Sequence, residues 1–410
     1  MRDSHSSGRR PYRQAVILVG GEGTRLRPIT SRVPKPAAPL LGRPFISYIL
    51  ENLAAHGVRR VVFSTGYLAT AIKASVGDGS RYGLEVKYAF EDSPLGTAGA
   101  VLNAAPKLRP EGFLVLNGDV LTDADLTSVV AFHQERNASA TLLATPVDDP
   151  SRYGLVDVGD DGRIRSFLEK PGRDYAGPGL INAGVYVLEH EVLDLIPPRQ
   201  QVSIERSVFP ALAGDGNMYA FVSDGYWRDI GTPQSYLDAH FDLLRHYLQL
   251  GEGRGPAHPG DGVTIAPGAR IHPEARVVPP VHVAGDVVVR RGATIGPLAV
   301  LGRGARVGRG AQVVASVVQD DVRIGRDALV EHSVIVRRST VGRESELKGV
   351  VIGEACEIGR GNILANGLRL YPQSTLPDRS VTFHDPDALR QPLPLLEPAP
   401  EALADIEAAA

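Results

Sequence analysis

The sequence predicts an α/β chain in two parts: a doubly wound α/β domain with a mostly parallel sheet, followed by a solenoid of short parallel strands. Three observations predict it. From Ala15 to about Leu250, short apolar runs alternate with helix-length amphipathic segments. A Gly/Pro-rich segment, Gly251–Gly262, follows. Beyond it, aliphatic residues recur every six positions.

In the first part, Ala15–Val19, Val61–Ser64, Val86–Phe90, Phe113–Leu116 and Ala140–Ala144 read as strands. Phe45–His56 reads as a helix, with Ile46, Ile49, Leu50 and Leu53 on one face and Gly57 as its stop. Asp125–Glu135 reads as a second helix, with Asp123 and Asp125 as helix-start residues. Alternating strands and helices imply helices on both faces of a mostly parallel, Rossmann-like sheet. Val156–Phe167 breaks this rhythm, and its Gly159-Asp160-Asp161-Gly162 turn predicts an inserted hairpin.

In the second part the repeat runs through Ile265, Ile271, Val277, Val283, Val289, Ile295, Leu301, Val307 and Val313. It resumes at Ile324, Val330 and Val336, shifts to Val341 and Leu347, then to Ile352, Ile358 and Leu364. The shifts at 313–324, 336–341 and 347–352 are expected to be loops or corner adjustments. A six-residue period fits neither a helix nor a flat amphipathic strand, but it fits stacked coils whose aliphatic residues pack on the coil below. The repeat resembles the hexapeptide family. That resemblance implies a left-handed parallel β-helix, an exception to the right-handed crossover rule.

The expected organisation is a tail at 1–13, an α/β domain at 14–250, a linker at 251–262, the β-helix at 263–375 and a tail at 376–410, with a short helix at Glu401–Ala410. A net charge of −3 gives no reason to expect nucleic acid or a membrane surface as partner. The one cysteine, Cys356, excludes an internal disulfide and fits a reducing cytoplasm. No apolar stretch approaches the roughly 18–20 residues that span a bilayer, and the Ser- and Arg-rich start lacks the apolar core of a secretory signal.

The chemistry-bearing residues begin directly after the first strand, in Gly20-Gly21-Glu22-Gly23-Thr24-Arg25-Leu26-Arg27-Pro28. Glycines let the backbone approach an anion closely, and their N–H groups can cradle phosphates. Such a turn alone could be an ordinary tight loop. Arg25 adds a cation inside the loop, and Val33-Pro34-Lys35-Pro36 adds a second one held between prolines.

The Gly20 loop and the PKPAAPLLGRP run from Pro34 together resemble the sugar-1-phosphate nucleotidyltransferases, also called nucleotide-sugar pyrophosphorylases. The resemblance continues in order through Glu91–Ala100, Asn117-Gly118-Asp119, Phe167–Pro171, Ile181–Gly184 and Trp227–Thr232. With the β-helix it covers about residues 14–375. It implies an enzyme that joins a nucleoside triphosphate to a sugar 1-phosphate and releases pyrophosphate.

Such a reaction needs cations on the triphosphate, carboxylates for a metal, a cation for the sugar phosphate, and hydrogen-bonding groups for base and sugar. Arg25 and Lys35 suit the first need. Asp119, at the carboxyl end of a predicted strand, lies where open α/β sheets bind ligands. The resemblance implies that Asp119 and Asp229 hold Mg²⁺, a hard cation suited to carboxylate and phosphate oxygens. It implies Arg25, Lys35 and Asp119 as catalytic residues. Gly20, Gly21, Gly23, Thr24, Leu95, Gly96 and Thr97 are implied for the nucleotide, and Gly154, Glu169, Lys170 and Asn182 for the sugar phosphate. Tyr153 and Tyr186 are expected to pack.

The Glu91–Ala100 string is most similar to the guanylyltransferases that make GDP-mannose, which implies GTP and mannose 1-phosphate as substrates. Pyrimidine-selective relatives usually carry a nearby glutamine, and Glu85–Ala105 has none. Thymidylyl, uridylyl and adenylyl transfer stay open, as does a cyclitol phosphate in place of mannose. So does a catalytically silent regulatory homologue. A bifunctional acetyltransferase would need His332 as its base and a longer C-terminal portion. The solenoid is expected to mediate homo-oligomerisation.

Overall fold

The structure is a computed structural model that describes residues 12–66, 69–172, 175, 177–245 and 262–382. Most of the expected tails and linker, and the helix expected at Glu401–Ala410, lie outside the described residues. Tyr12 and Arg13, placed in the tail by the sequence reading, join the fold. Arg13 accepts the Arg60 N–H through its carbonyl at 3.0 Å, and Tyr12 donates to Glu189.

The α/β domain is built on a nine-stranded mixed sheet. Gln14–Leu18 lies at its middle, parallel to Arg60–Thr65 on one side and Phe113–Asn117 on the other. Glu85–Phe90 extends the first side, again in parallel. Gly179–Leu188 runs antiparallel beside Phe113–Asn117 and bonds both Ala140–Val147 and the Gly154–Val158 strand. The predicted hairpin is present, with Gly154–Val158 antiparallel to Ile164–Glu169. Chain order reverses direction between Gln14–Leu18 and Phe113–Asn117. That is the switch point at which open α/β sheets form a crevice beyond the strand ends.

Helices cover both faces. Ile46–Ala55 buries Ile46, Ile49, Leu50 and Leu53, the face predicted from their spacing. Leu126–Arg136 starts at Asp125, whose carboxylate accepts the Thr127 and Ser128 N–H groups at 2.9 and 3.2 Å. Asp123 plays a different part from the helix start expected of it. It accepts the Tyr226 N–H at 2.8 Å and so helps dock the Trp227–Asp229 strand.

Residues 263–382 form three parallel sheets, with one strand per sheet in each coil. This is the triangular cross-section of the left-handed β-helix that the resemblance to the hexapeptide family implies. Leu301, Val307, Val313, Val318, Ile324 and Val330 fill its interior. The register shifts are five-residue corners: the inward series steps from Val313 to Val318, from Val330 to Ile335, and from Leu347 to Ile352. Ala315, His332 and Gly349 turn these corners with positive φ. Serines bind the corners to one another, the Ser316 and Ser333 hydroxyls accepting the Ser333 and Val350 N–H groups at 3.0 and 3.1 Å. Val336, read from the period as an interior residue, instead packs toward the α/β domain. His332 is a corner residue.

The two parts share a core. Val300, Val317, Val334 and Val351 belong to the same buried cluster as Leu26, Ile29, Tyr236 and Leu237. Gln319 donates to the Tyr236 hydroxyl at 3.2 Å. His240, on the Pro233–Leu244 helix, is 1% exposed near this interface. Burial pushes its imidazole down to about 4. The unfolded chain therefore binds the extra proton between about pH 6.5 and 4, so stability falls as pH falls through that window. Thermal melts from pH 7 to 4.5 should show this loss, by up to about 3 kcal/mol. A His240→Gln variant should show a shallower pH dependence; equal slopes would refute the assignment.

Candidate active site

The strand ends at the switch point carry the site. Gln14–Leu18 leads into the Gly20 loop, where Gly23 has φ +62 and precedes the single helical turn Thr24–Leu26. The left-handed backbone at Gly23 strongly favours glycine. The Thr30 hydroxyl holds it by donating to the Gly23 carbonyl at 2.8 Å. This turn aims Arg25 over the crevice and buries Leu26 completely.

Asp119 follows the Phe113–Asn117 strand. The short strand Trp227–Asp229 pairs antiparallel with Val120–Thr122, placing Asp229 opposite Val120, and the Ile230 N–H bonds the Asp119 carbonyl at 3.1 Å. Two carboxylates far apart in sequence thereby become neighbours. The Lys35 ammonium, on an 8% exposed residue, reaches both: 2.8 Å to Asp119 Oδ2 and 3.3 Å to Asp229 Oδ1. Burial raises the Asp119 carboxyl, but Lys35 and Arg25 outweigh it and hold the group below the ordinary carboxylate range. Asp229 lies above its usual value, because burial and the Asp119 charge together outweigh the pull of Lys35 and Arg25. The two carboxylates share one ammonium, so the charge on each affects the titration of the other.

Two cavities meet here. The first, about 470 Å³, is lined by Gly20, Gly21, Gly23, Thr24 and Lys35 on one side, and by Gly96, Thr97 and Glu91 on the other. The second, about 440 Å³, is lined by Gly154, Glu169, Lys170, Asn182 and Asp229, with Tyr153 and Trp227. Arg25, Asn117 and Asp119 line both. The residues assigned from sequence to the nucleotide and to the sugar phosphate thus fall into separate but adjoining cavities, with one exception. Leu95 lines neither cavity. Its N–H bonds Glu91 at 3.3 Å and its carbonyl accepts the Val202 N–H at 2.8 Å, so its backbone is committed to the fold.

Gly96 beside it has φ +71, and a Cβ there would lie 2.5 Å from the Val202 carbonyl oxygen, a close approach that only glycine permits. Thr97 donates to Glu205 at 2.7 Å. On the sugar side, Asn182 is held by the Tyr186 hydroxyl and the Gly184 N–H, both at 2.9 Å. Tyr186 is fully buried and packs as expected, whereas Tyr153 stacks edge-on against Trp227 at 5.3 Å and also faces the cavity. Arg228 is turned away onto Asp242 and Asp238. Lys170 pairs with Glu169 at 3.0 Å.

The sequence reading missed Glu91, Asn117 and Trp227. Glu91 follows one strand and Asn117 ends another on the crevice side of the sheet, a placement that only the strand order reveals. Glu91 accepts the Ser64 hydroxyl at 3.1 Å and the Leu95 N–H at 3.3 Å, which fixes its carboxylate at the cavity wall. Trp227 donates to the Ala183 carbonyl at 2.9 Å and had no sequence signal beyond its motif.

A family model described as "Nucleotidyl transferase" matches residues 14–246. The chain belongs to the nucleotidyl transferase family. A second model, "GMPPB C-terminal domain", matches residues 277–382 of this nucleotidyltransferase. Among its relatives, the mannose-1-phosphate guanylyltransferase of Mycobacterium tuberculosis is 43% identical over 263 residues, spanning 62% of this chain and 72% of that protein. The mannose-1-phosphate guanylyltransferase catalytic subunit beta of Danio rerio is 38% identical over 251 residues, spanning 60% and 69%. The crystal structure of HddC from Yersinia pseudotuberculosis superposes with a TM-score of 0.50 at 33% identity, covering 56% of this chain and 99% of that one; HddC has also been crystallised in complex with GMP-PN.

Lys35 stabilises both ionised carboxylates, so removing it must raise both carboxyl pKa values. Carbon-detected NMR titration of Lys35→Met should show Asp119 and Asp229 protonating at higher pH than in the parent. Unchanged titration would show that the ammonium does not sit between them.

Proposed function

We propose that this nucleotidyltransferase forms GDP-mannose and pyrophosphate from GTP and mannose 1-phosphate. The observation that carries the reading is the meeting of two cavities at Arg25, Asn117 and Asp119. In-line transfer needs two reactants held so that the attacking oxygen, the α-phosphorus and the leaving oxygen share a line. Adjoining sites with a cation at the boundary meet that need. The names of the relatives support guanine and mannose, and the GMP-PN bound by HddC supports guanine.

In this reading the glycine-rich loop cradles the triphosphate, and Gly96 and Thr97 flank the base. Glu91 reads it. A carboxylate has about four acceptor positions, and Ser64 and Leu95 use two. The remaining two suit the N1–H and N2 amino donors of guanine. Adenine presents an acceptor at N1 and would be repelled. Glu169, Asn182 and Gly154 bind sugar hydroxyls, and Lys170 binds the sugar phosphate. A sugar-phosphate oxygen forms its bond to the α-phosphorus as the bond to the bridging oxygen breaks, and pyrophosphate leaves with that electron pair. Arg25 and Lys35 stabilise the charge that builds on the transferring group and leaving oxygen. No covalent bond to the protein is needed.

Two carboxylates already sharing a cation are a donor set that suits a hard divalent ion, which usually takes one or two carboxylates plus substrate phosphates. Asp119 and Asp229 would hold Mg²⁺, which supplies Lewis-acid neutralisation of phosphate charge when bound.

Among the described residues no helix is long and apolar enough to cross a membrane. The buried thiol of Cys356 fits a cytoplasmic enzyme. Homo-oligomerisation through the solenoid would use its other two faces or its ends, because the Val300–Val351 face is taken by the α/β domain.

The purified chain, given Mg²⁺, should release pyrophosphate fastest from GTP with mannose 1-phosphate, in a panel crossing four nucleoside triphosphates with several sugar and cyclitol phosphates. Release from none of the pairs would refute nucleotidyl transfer; preference for another pair would move the substrate assignment. Arg25→Ala and Asp119→Ala should each abolish turnover. Glu91→Gln should raise the KM for GTP about 10-fold or more and narrow the gap to ATP, since one bidentate base contact discriminates by about 1–3 kcal/mol. An unchanged GTP/ATP ratio would remove Glu91 from base selection.

A further inference from the structure

Along one face of the solenoid, Val300, Val317, Val334 and Val351 stack in register on successive coils. Their neighbours Leu301, Val318, Ile335 and Ile352 point inward. The valines therefore point outward, and all are buried against the α/β domain. The next coil continues the column at Arg369, directly opposite Val351. A guanidinium thus stands where four coils carry an isopropyl group.

Its surroundings explain the change. Arg369 Nη1 donates to the carbonyl of Arg25 at 3.1 Å and to that of Arg27 at 3.2 Å. These carbonyls flank Leu26 on the single helical turn that carries the boundary cation of the site. At this point the solenoid meets solvent-facing backbone acceptors, which a guanidinium can bond and a valine cannot. Leu26 and Ile29 anchor the same loop in the valine cluster. The Arg25 backbone is tied to the solenoid while its side chain lines both cavities.

We propose that Arg369 is a positioning residue for nucleotidyl transfer: by holding the Arg25 and Arg27 carbonyls, the β-helix sets where the Arg25 guanidinium stands over the reacting phosphate. The inference rests on the role given to Arg25 above. Misplacing a catalytic group by about 1 Å can cost on the order of 100-fold in rate. Loss of the tether should therefore appear in kcat, because Arg25 acts mainly as charge develops.

The test uses the full chain. Arg369→Ala should lower kcat about 10- to 100-fold, with the KM for both substrates changing less than about threefold. Arg369→Lys, which can still donate to both carbonyls, should recover most of the rate. Combined with Arg25→Lys, the Arg369→Ala loss should shrink rather than multiply. Gln319→Ala, which cuts another contact across the same interface, should leave kcat unchanged. Hydrogen exchange reports the tether without any turnover: in Arg369→Ala, the amides of Leu26, Arg27 and Ile29 should exchange about 10-fold faster or more, with the valine column still protected. If the parent shows no turnover while those amides alone speed up, the proposed reaction and the positioning role both fail, and only the tether of the Arg25 loop to the β-helix stands. If kcat is unchanged, or if protection is lost across the whole interface, the positioning role is overturned.

Discussion

The site depends on one ammonium held between two carboxylates. Lys35 comes from a turn between prolines, Asp119 from the end of a central strand, and Asp229 from a two-stranded ribbon paired beside it. Without the cation, two neighbouring partly buried carboxylates would repel and both would titrate at higher pH. With it, both oxygens face a common point at the boundary of two cavities. The sheet topology places these side chains at that point, because the switch between Gln14–Leu18 and Phe113–Asn117 opens the crevice there.

The β-helix is more than an appendage. A solenoid buries aliphatic residues coil on coil and leaves its faces free for other uses. Here one face carries a valine column that completes the core of the α/β domain. The column ends in a guanidinium where the partner surface changes from apolar side chains to loop carbonyls. The Gly20–Arg27 loop is thus packed from behind by the second domain and open to the crevice in front. The Arg25 backbone is held from behind while its side chain stays open to the crevice.

Much of the fold was legible because its signals are local and periodic. Short apolar runs placed four strands within one residue at each end and stopped Ala140–Val147 three residues early, and the hexads announced the coils. The five-residue corners were harder. A period of six carried through Val330 points to Val336, whereas the chain saves one residue at His332 and turns Ile335 inward. Only stacking on the coil below distinguishes the two. At the site, Arg25, Lys35 and Asp119 stood out as charges beside strand ends or in proline-framed turns. Glu91 did not, because an acidic residue at a strand end is common on any surface. Leu95 was assigned to the ligand by its motif, yet its backbone hydrogen bonds go to Glu91 and Val202.

Residue order alone determined the two-part architecture, the family and the inventory of charged groups, because each is encoded in short spacings that survive without three-dimensional context. Tertiary structure decided which of those charges meet. Lys35, Asp119 and Asp229 share a cation site because ribbon pairing and a sheet switch point bring them together. Arg369 reaches the Arg25 loop because the solenoid folds back on the α/β domain. Both are contacts between residues separated by most of a domain or more, set by packing and hydrogen-bond satisfaction rather than by any local pattern.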